Sequence, residues 1–216
     1  MANDKKGKGK TLSFAFDYIS MILYFDTETS GLHPGQICQL SYILQSGNEV
    51  TPKNIFFTVD YVEYGALSVH GFSVEKLKSL SNGKRFSDCF YEIEKDFKNA
   101  DLIVSHNTSF DFSFMRAEYE RLDKPFIYKD SFCTMKKTTS LCKLKRSCGV
   151  AYKYPKLSEL CAFLGISDKE ILTTCSRLFG ANVGYHDARF DTTAVYLAVN
   201  KGARNYVEFD CLKDFL

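Results

Sequence analysis

Residues 24–32 read YFDTETSGL, an apolar and aromatic lead into two acids at alternate positions, Asp26 and Glu28, with a Ser-Gly turn directly after them. Side chains two apart on a strand share a face, so this spacing aims both carboxylates the same way from the end of a buried strand over 20–26. Two anions held that close repel, and the pattern predicts a positive species between them. Further along, QICQLSYILQ at 36–45 and NIFFTVD at 54–60 are rich in β-branched and aromatic residues. The turn-forming SGNEVTP separates them, which predicts an antiparallel meander of the first three strands. SVEKLKSL at 73–80 follows as a helix with Ser73 as N-cap. FSDCFYEIEKDFKNA at 86–100 sets Phe86, Cys89, Phe90, Ile93 and Phe97 at helical spacing, with Ser87 at its start.

DLIVSH at 101–106 reads as a short buried strand that passes through NTSF into a helix over 110–122, and that helix carries a third acid, Asp111. A short strand in FIYKD after Pro125, a helix over 131–138, an amphipathic helix over 156–166 ended by Gly165, and a last helix over 187–200 complete the reading. Strands followed by strand–helix alternation, without internal repeats, predict one mixed α/β domain over 17–216. A basic, flexible tail over 1–16 precedes it.

The 216 residues, 45% of them apolar, suffice for one sizeable core. A net charge of +2 gives no general reason to expect a polyanionic partner, but the charge is unevenly spread. Residues 136–156 hold seven Lys or Arg and no acid, and residues 1–16 hold four Lys against Asp4. An acidic body with a localised basic loop suits a phosphate-chain ligand held beside carboxylates, and it equally suits a solvated loop. The eight cysteines are scattered, with no C-x-x-C pair and no His at zinc-finger spacing, so they read as reduced, mostly buried thiols of a cytosolic protein. KKGKGK followed by LSFAFDYISMILYF imitates a signal peptide. Asp17 interrupts its apolar part and cleavage would remove the strand bearing Asp26, so secretion is rejected, with Met1 and Met21 left as alternative starts. No uninterrupted apolar run approaches the roughly 20 residues of a membrane span.

A fourth acid lies in YHDARFDTTAV at 185–195, where His186 stands just before a helix and Asp191 in its second turn. That placement can aim both at one point. Asp26, Glu28, Asp111 and Asp191 then converge from a strand end, a strand–helix loop and a helix, with His186 beside them. Oxygen-only ligands select hard cations such as Mg2+ or Mn2+. Two such ions about 4 Å apart stabilise the attacking and leaving oxygens of phosphodiester cleavage. Taken singly, each residue has an ordinary reading: an exposed strand end, a helix cap, a surface ion pair, a surface imidazole. The joint occurrence carries the reading, and neither Asp187 nor His106 has a role in it.

FDTETSGL, SHNTSFDFSFM and HDARFDT, in this order, resemble the three motifs of the DEDDh group of 3′–5′ exonucleases. This is the DnaQ-like branch that includes the proofreading epsilon subunit of bacterial DNA polymerase III. SVHGF at 68–72 and PKLSELCAFLGI at 155–166 resemble its intermediate segments, and the similarity covers about residues 20–200. The resemblance implies an RNase H-like fold, a five-stranded mixed sheet with helices on both faces. It implies that Asp26, Glu28, Asp111 and Asp191 hold two Mg2+ or Mn2+ ions and that His186 is the general base, a task suited to a group titrating near neutrality. Thr29, Ser30, Leu32, His70, Asn107 and Phe110 would line the pocket for the terminal nucleotide. The implied reaction releases nucleoside 5′-monophosphates from single-stranded or frayed DNA 3′ ends, in proofreading or repair. The residues around the site do not separate deoxyribose from ribose, so trimming of RNA 3′ ends is the alternative. A catalytically silent nucleic-acid-binding module is the third reading, although such a module is expected to lack one of the five residues. A polymerase subunit is the partner of the epsilon subunit, but here the sequence stops at Leu216 soon after the last helix, and DCLKDFL at 210–216 is too short to read as that subunit's flexible binding tail.

Overall fold

The apolar run that leads into the acid pair forms β1 (Met21–Thr29), which continues through both carboxylates instead of stopping at Asp26. In the computed structural model, which describes residues 20–180, 183–184 and 186–216, β1 is the central strand of a five-stranded sheet ordered β3-β2-β1-β4-β5. β2 (Ile37–Ser46) pairs antiparallel with β1, and β3 (Glu49–Phe56) pairs antiparallel with β2, giving the expected meander. The third strand begins earlier than its composition suggests. The chain turns at Gly47, with φ at +56°, and Glu49 already pairs with Ser46, so the stretch expected as a turn contributes strand residues including Pro52. Proline is tolerated there because β3 is an edge strand, with no further strand on its outer side among the described residues.

β4 (Leu102–Ser105) runs parallel to β1, and β5 (Ser131–Cys133) runs parallel to β4. The strand expected at 126–130 is displaced into these next residues. Phe126 and Tyr128 pack instead on the ring of Phe112, at 5.4 and 4.7 Å between centroids.

Nine α-helices accompany the sheet among the described residues: α1 (Tyr64–His70), α2 (Val74–Leu80), α3 (Phe86–Asn99), α4 (Thr108–Glu120), α5 (Thr134–Lys137), α6 (Thr139–Cys142), α7 (Leu157–Phe163), α8 (Asp168–Phe179) and α9 (Ala188–Asn205). A 3-10 helix at Val207–Phe215 follows them. Ser73 caps α2 as expected, accepting from the Lys76 amide at 3.2 Å. α3 starts ahead of Ser87, and the Asp88 carboxylate closes its first turn by accepting from the Arg85 amide at 2.7 Å. α8 was not anticipated, although Ser167 caps it and Ile171 and Cys175 point inward. α9 runs beyond 200 through KGARN, because Gly202 lets the Phe209 ring lie against the helix; a Cβ at that position would stand 2.6 Å from the ring.

Alternation along β1 divides the core. Leu23 and Phe25 join Phe90, Ile93 and Phe97 of α3 and Phe112 and Met115 of α4 on one face. Ile22 and Tyr24 meet Val195 and Val199 of α9, together with Phe209, on the other. Helices therefore cover both faces, and each fully buried Phe or Leu contributes about 1.5–3 kcal/mol to that arrangement. α7 and α8 pack outside α9 through Leu160, Ile171, Phe190 and Ala194.

All eight cysteines are free thiols: Cys38, Cys133, Cys161 and Cys175 are buried, Cys89 and Cys142 partly so, and Cys148 and Cys211 are exposed. No helix among the described residues is long and apolar enough to cross a membrane. The basic segment 1–16 lies outside the described residues.

Candidate active site

Asp26 and Glu28 project from the α9 face of β1, and α9 brings Asp191 to meet them. Oxygens of these three carboxylates lie within 4.8 Å of one another. Asp191 is the fourth residue of α9, in its first turn and not its second. Asp111 occupies the same place in α4 but approaches from the opposite face of the sheet, and its Oδ1 accepts a hydrogen bond from the Thr27 hydroxyl at 2.8 Å. It adjoins the trio without entering it. Both helices thus direct an N-terminal turn at the acids, where unpaired backbone amides favour negative charge.

That favour is partial. Burial, then the charge of Asp191, pushes the Glu28 carboxyl up to about 9. Asp26 is raised well above its ordinary range by burial and by Asp191, Asp111 and Glu28 in turn. Burial lifts Asp111 to about 7 despite the Thr27 hydroxyl, and lifts Asp191 to about 6 against the opposing effect of His186. None of the ion pairs among the described residues involves these four acids. The nearby Arg189 is held by Asp187 at 2.6 Å. Ser41, opposite Asp26 in the register, is buried with a hydroxyl oxygen that has no partner among the described residues. Crowded oxygen donors without a protein cation fit a hard divalent metal.

His186 sits in the turn before α9 with φ at +60°, exposed, in a left-handed conformation uncommon outside glycine. With Asp191, Phe190, Cys161 and Lys156 it lines a cavity of about 450 Å³.

The residues expected to receive the terminal nucleotide divide by environment. Leu32 is 79% exposed, and Phe110 is partly buried against Phe114 at 4.9 Å. Asn107, with φ at +78°, precedes α4. The Thr29 hydroxyl donates to the Gly31 carbonyl at 2.8 Å and the buried Ser30 hydroxyl accepts from the Gln36 amide at 3.0 Å, so both are engaged within their own loop. Gly31 itself packs where a Cβ would displace the Glu63 carboxylate. His70 is buried at the end of α1. Its Nδ1 accepts from the Phe72 amide at 3.0 Å, which leaves the proton on Nε2 to be donated to the Thr29 carbonyl at 3.2 Å. Burial lowers its pKa and keeps it neutral in that role. His106 is packed at the end of β4 between the Thr134 hydroxyl, at 2.9 Å, and the Pro155 carbonyl, at 3.0 Å, and burial takes it down to about 4.

Two residues that sequence reasoning left without a role position α9. Asp187 is its N-cap, accepting from the Arg189 amide at 3.0 Å. The Gln39 side chain donates to Asp187 at 2.9 Å and accepts from the Ala188 amide at 3.2 Å. An acid directly before a helical run was a legible cap signal for Asp187. A glutamine inside an apolar strand was visible too, but nothing local linked it to a helix nearly 150 residues later.

No protein-family model matches the chain, and no curated protein sequence does. Solved structures do match it. E. coli exonuclease I in complex with a 5cy-dT13 oligonucleotide aligns with a TM-score of 0.67 and 19% identity, over 90% of this chain and 43% of that one. The zinc-ion-bound E. coli exonuclease I–ssDNA complex gives 0.68 and 19%, over 89% and 42%. An exonuclease I from Methylocaldum szegediense, moderately thermophilic, gives 0.66 and 15%, again over 89% and 42%. The fold is RNase H-like. The chain spans less than half the length of these exonucleases, and at such identities the likeness is one of fold.

Proposed function

We propose that the chain is a DEDDh-type, divalent-metal-dependent 3′–5′ exonuclease that hydrolyses phosphodiester bonds at single-stranded DNA 3′ ends and releases nucleoside 5′-monophosphates. The observation that carries this is the meeting of Asp26, Glu28 and Asp191 within 4.8 Å, short of any protein cation among the described residues and adjoined by Asp111. Those four carboxylates would hold two Mg2+ or Mn2+ ions. When bound, such ions polarise a scissile phosphate and acidify a water. His186, exposed and close enough to Asp191 to influence its charge, takes the water's proton on a ring nitrogen as the water oxygen bonds to phosphorus. The bond to the 3′ oxygen of the preceding nucleotide breaks, and that oxygen leaves with a solvent proton. Leu32 and Phe110 offer apolar surface to the base and sugar of the terminal nucleotide, and Asn107 precedes the turn of α4 that carries Phe110.

The DNA reading is favoured over the RNA one by fold neighbours that were solved with single-stranded DNA. Such end trimming would serve proofreading or repair. The test is time-resolved cleavage of 5′-labelled DNA and RNA of one sequence with Mg2+, Mn2+ or chelator, beside Asp26→Ala. A metal-dependent ladder shortening from the DNA 3′ end, lost in the variant, is expected. No cleavage of either strand would overturn the reading, and faster loss of RNA would transfer it to RNA trimming.

A further inference from the structure

We propose that the basic hairpin between α6 and α7 is a track for the single-stranded polynucleotide leading to the acidic site, with backbone phosphates on Lys143, Lys145 and Arg146 and bases stacked on Tyr152 and Tyr154. This rests on the exonuclease reading of the acidic cluster and adds where the rest of the strand lies. Lys145 and Tyr152 form an antiparallel bridge, and the Lys153 amide donates to the Leu144 carbonyl at 2.8 Å, so the segment is a hairpin. The Arg146 Nε donates to the Tyr152 carbonyl at 3.2 Å, which holds the guanidinium beside the ring-bearing strand. Tyr152 and Tyr154 are 41% and 54% exposed. Lys153 is paired with Glu159, whereas Lys143, Lys145 and Arg146 enter none of the ion pairs among the described residues.

Residues that flank this hairpin in the chain lie against the site. Its far end is tied to the end of β4 through Pro155 and His106, the residue before Asn107 and α4. Before it, in α5, the Lys136 ammonium donates to the Ser109 hydroxyl at 3.0 Å, in the turn of α4 that carries Asp111. Beyond it, Lys156 lines the same cavity as His186 and Asp191. An anionic cluster repels a polyanion over distance, and an adjoining segment with seven Lys or Arg and no acid of its own offsets that repulsion. Cations and exposed aromatic rings together are the means by which proteins hold single strands without regard to sequence.

The experiment measures fluorescence anisotropy of a long and a short 5′-labelled oligodeoxythymidylate, and of a long oligouridylate, in chelator, with the full chain and two variants. In Lys143→Glu/Lys145→Glu/Arg146→Glu the long strands should bind about tenfold or more weakly, and the log–log salt slope should shrink by about 2. Tyr152→Ala/Tyr154→Ala should weaken the long strands while leaving the salt slope unchanged. The short strand, and hydrolysis of the p-nitrophenyl ester of thymidine 5′-monophosphate, should be unaffected in both. An unchanged affinity and slope for the long strands after charge reversal would overturn the track. Should charge reversal lower the melting midpoint, the triple alanine variant supplies the same test. A wild-type protein that hydrolyses nothing sinks the exonuclease reading instead, and the binding comparison separates the two failures.

Discussion

Gln39 stands directly across from Glu28 in the β1–β2 register and donates its side-chain amide to Asp187, the cap of α9. One strand position therefore neighbours a carboxylate of the cluster and anchors the helix that delivers another, Asp191. Gln39→Leu removes both hydrogen bonds to the start of α9 and should cost about 1–3 kcal/mol in urea denaturation. It should also weaken Mn2+ binding, followed by calorimetry, because Asp191 loses its fixed approach. Unaltered Mn2+ affinity would show that Asp187 and Arg189 hold the helix without Gln39.

The crowded acids make metal-free stability depend on pH in an unusual direction. An unfolded carboxyl titrates near 4, whereas Asp191, Asp111 and Glu28 titrate at about 6, 7 and 9 in the fold. Between those values the folded chain binds more protons than the unfolded one. This contribution is present below about 4 and is lost as pH rises through about 6, 7 and 9. Asp191→Asn removes a charge that is present at pH 8 and should raise stability in chelator at that pH by on the order of 1 kcal/mol, moving the melting midpoint up by about 2–4 °C, with a smaller gain at pH 5. Mn2+ should raise the wild type more than the variant. A variant less stable than the wild type at pH 8 would contradict this account.

His106 works in the opposite direction. Held neutral down to about 4 while an unfolded imidazole titrates near 6.5, it leaves the unfolded chain with the extra proton in that window. Its contribution is complete above about 6.5 and is lost as pH falls toward 4, to a total of up to about 3 kcal/mol. His106→Gln should flatten the acid limb of the stability curve, measured by denaturation between those pH values. An unchanged limb would assign acid sensitivity to other groups.

His186→Ala should lower kcat by about 10²–10⁴ and leave KM little changed, since a general base acts in the transition state. His186 is exposed, and its replacement should leave the melting curve in place. Retained full activity would remove it from the mechanism.

Much of this was legible in the chain, for local reasons. Alternation at Asp26 and Glu28 defined a strand end, and apolar periodicity located α3, α4, α7 and α9. α1 and α8 were less visible: α1 buries only His70, and its exposed residues show no stripe. The edge strand was misplaced because Pro52 reads as a breaker unless the absence of an outer neighbour is known. The entry of Asp111 from the face opposite Asp191 follows from which layer each helix joins, a property of tertiary packing. So does the engagement of the Thr29 and Ser30 hydroxyls inside their own loop.

That opposition has a temporal side. α4 docks on one layer of the core and α9 on the other, and α9 comes late in the chain. On the exonuclease reading, a chain emerging from the ribosome carries Asp26, Glu28 and Asp111 long before it has Asp191. It remains an inert intermediate until the far layer closes, and hydrolytic competence arrives together with the finished fold.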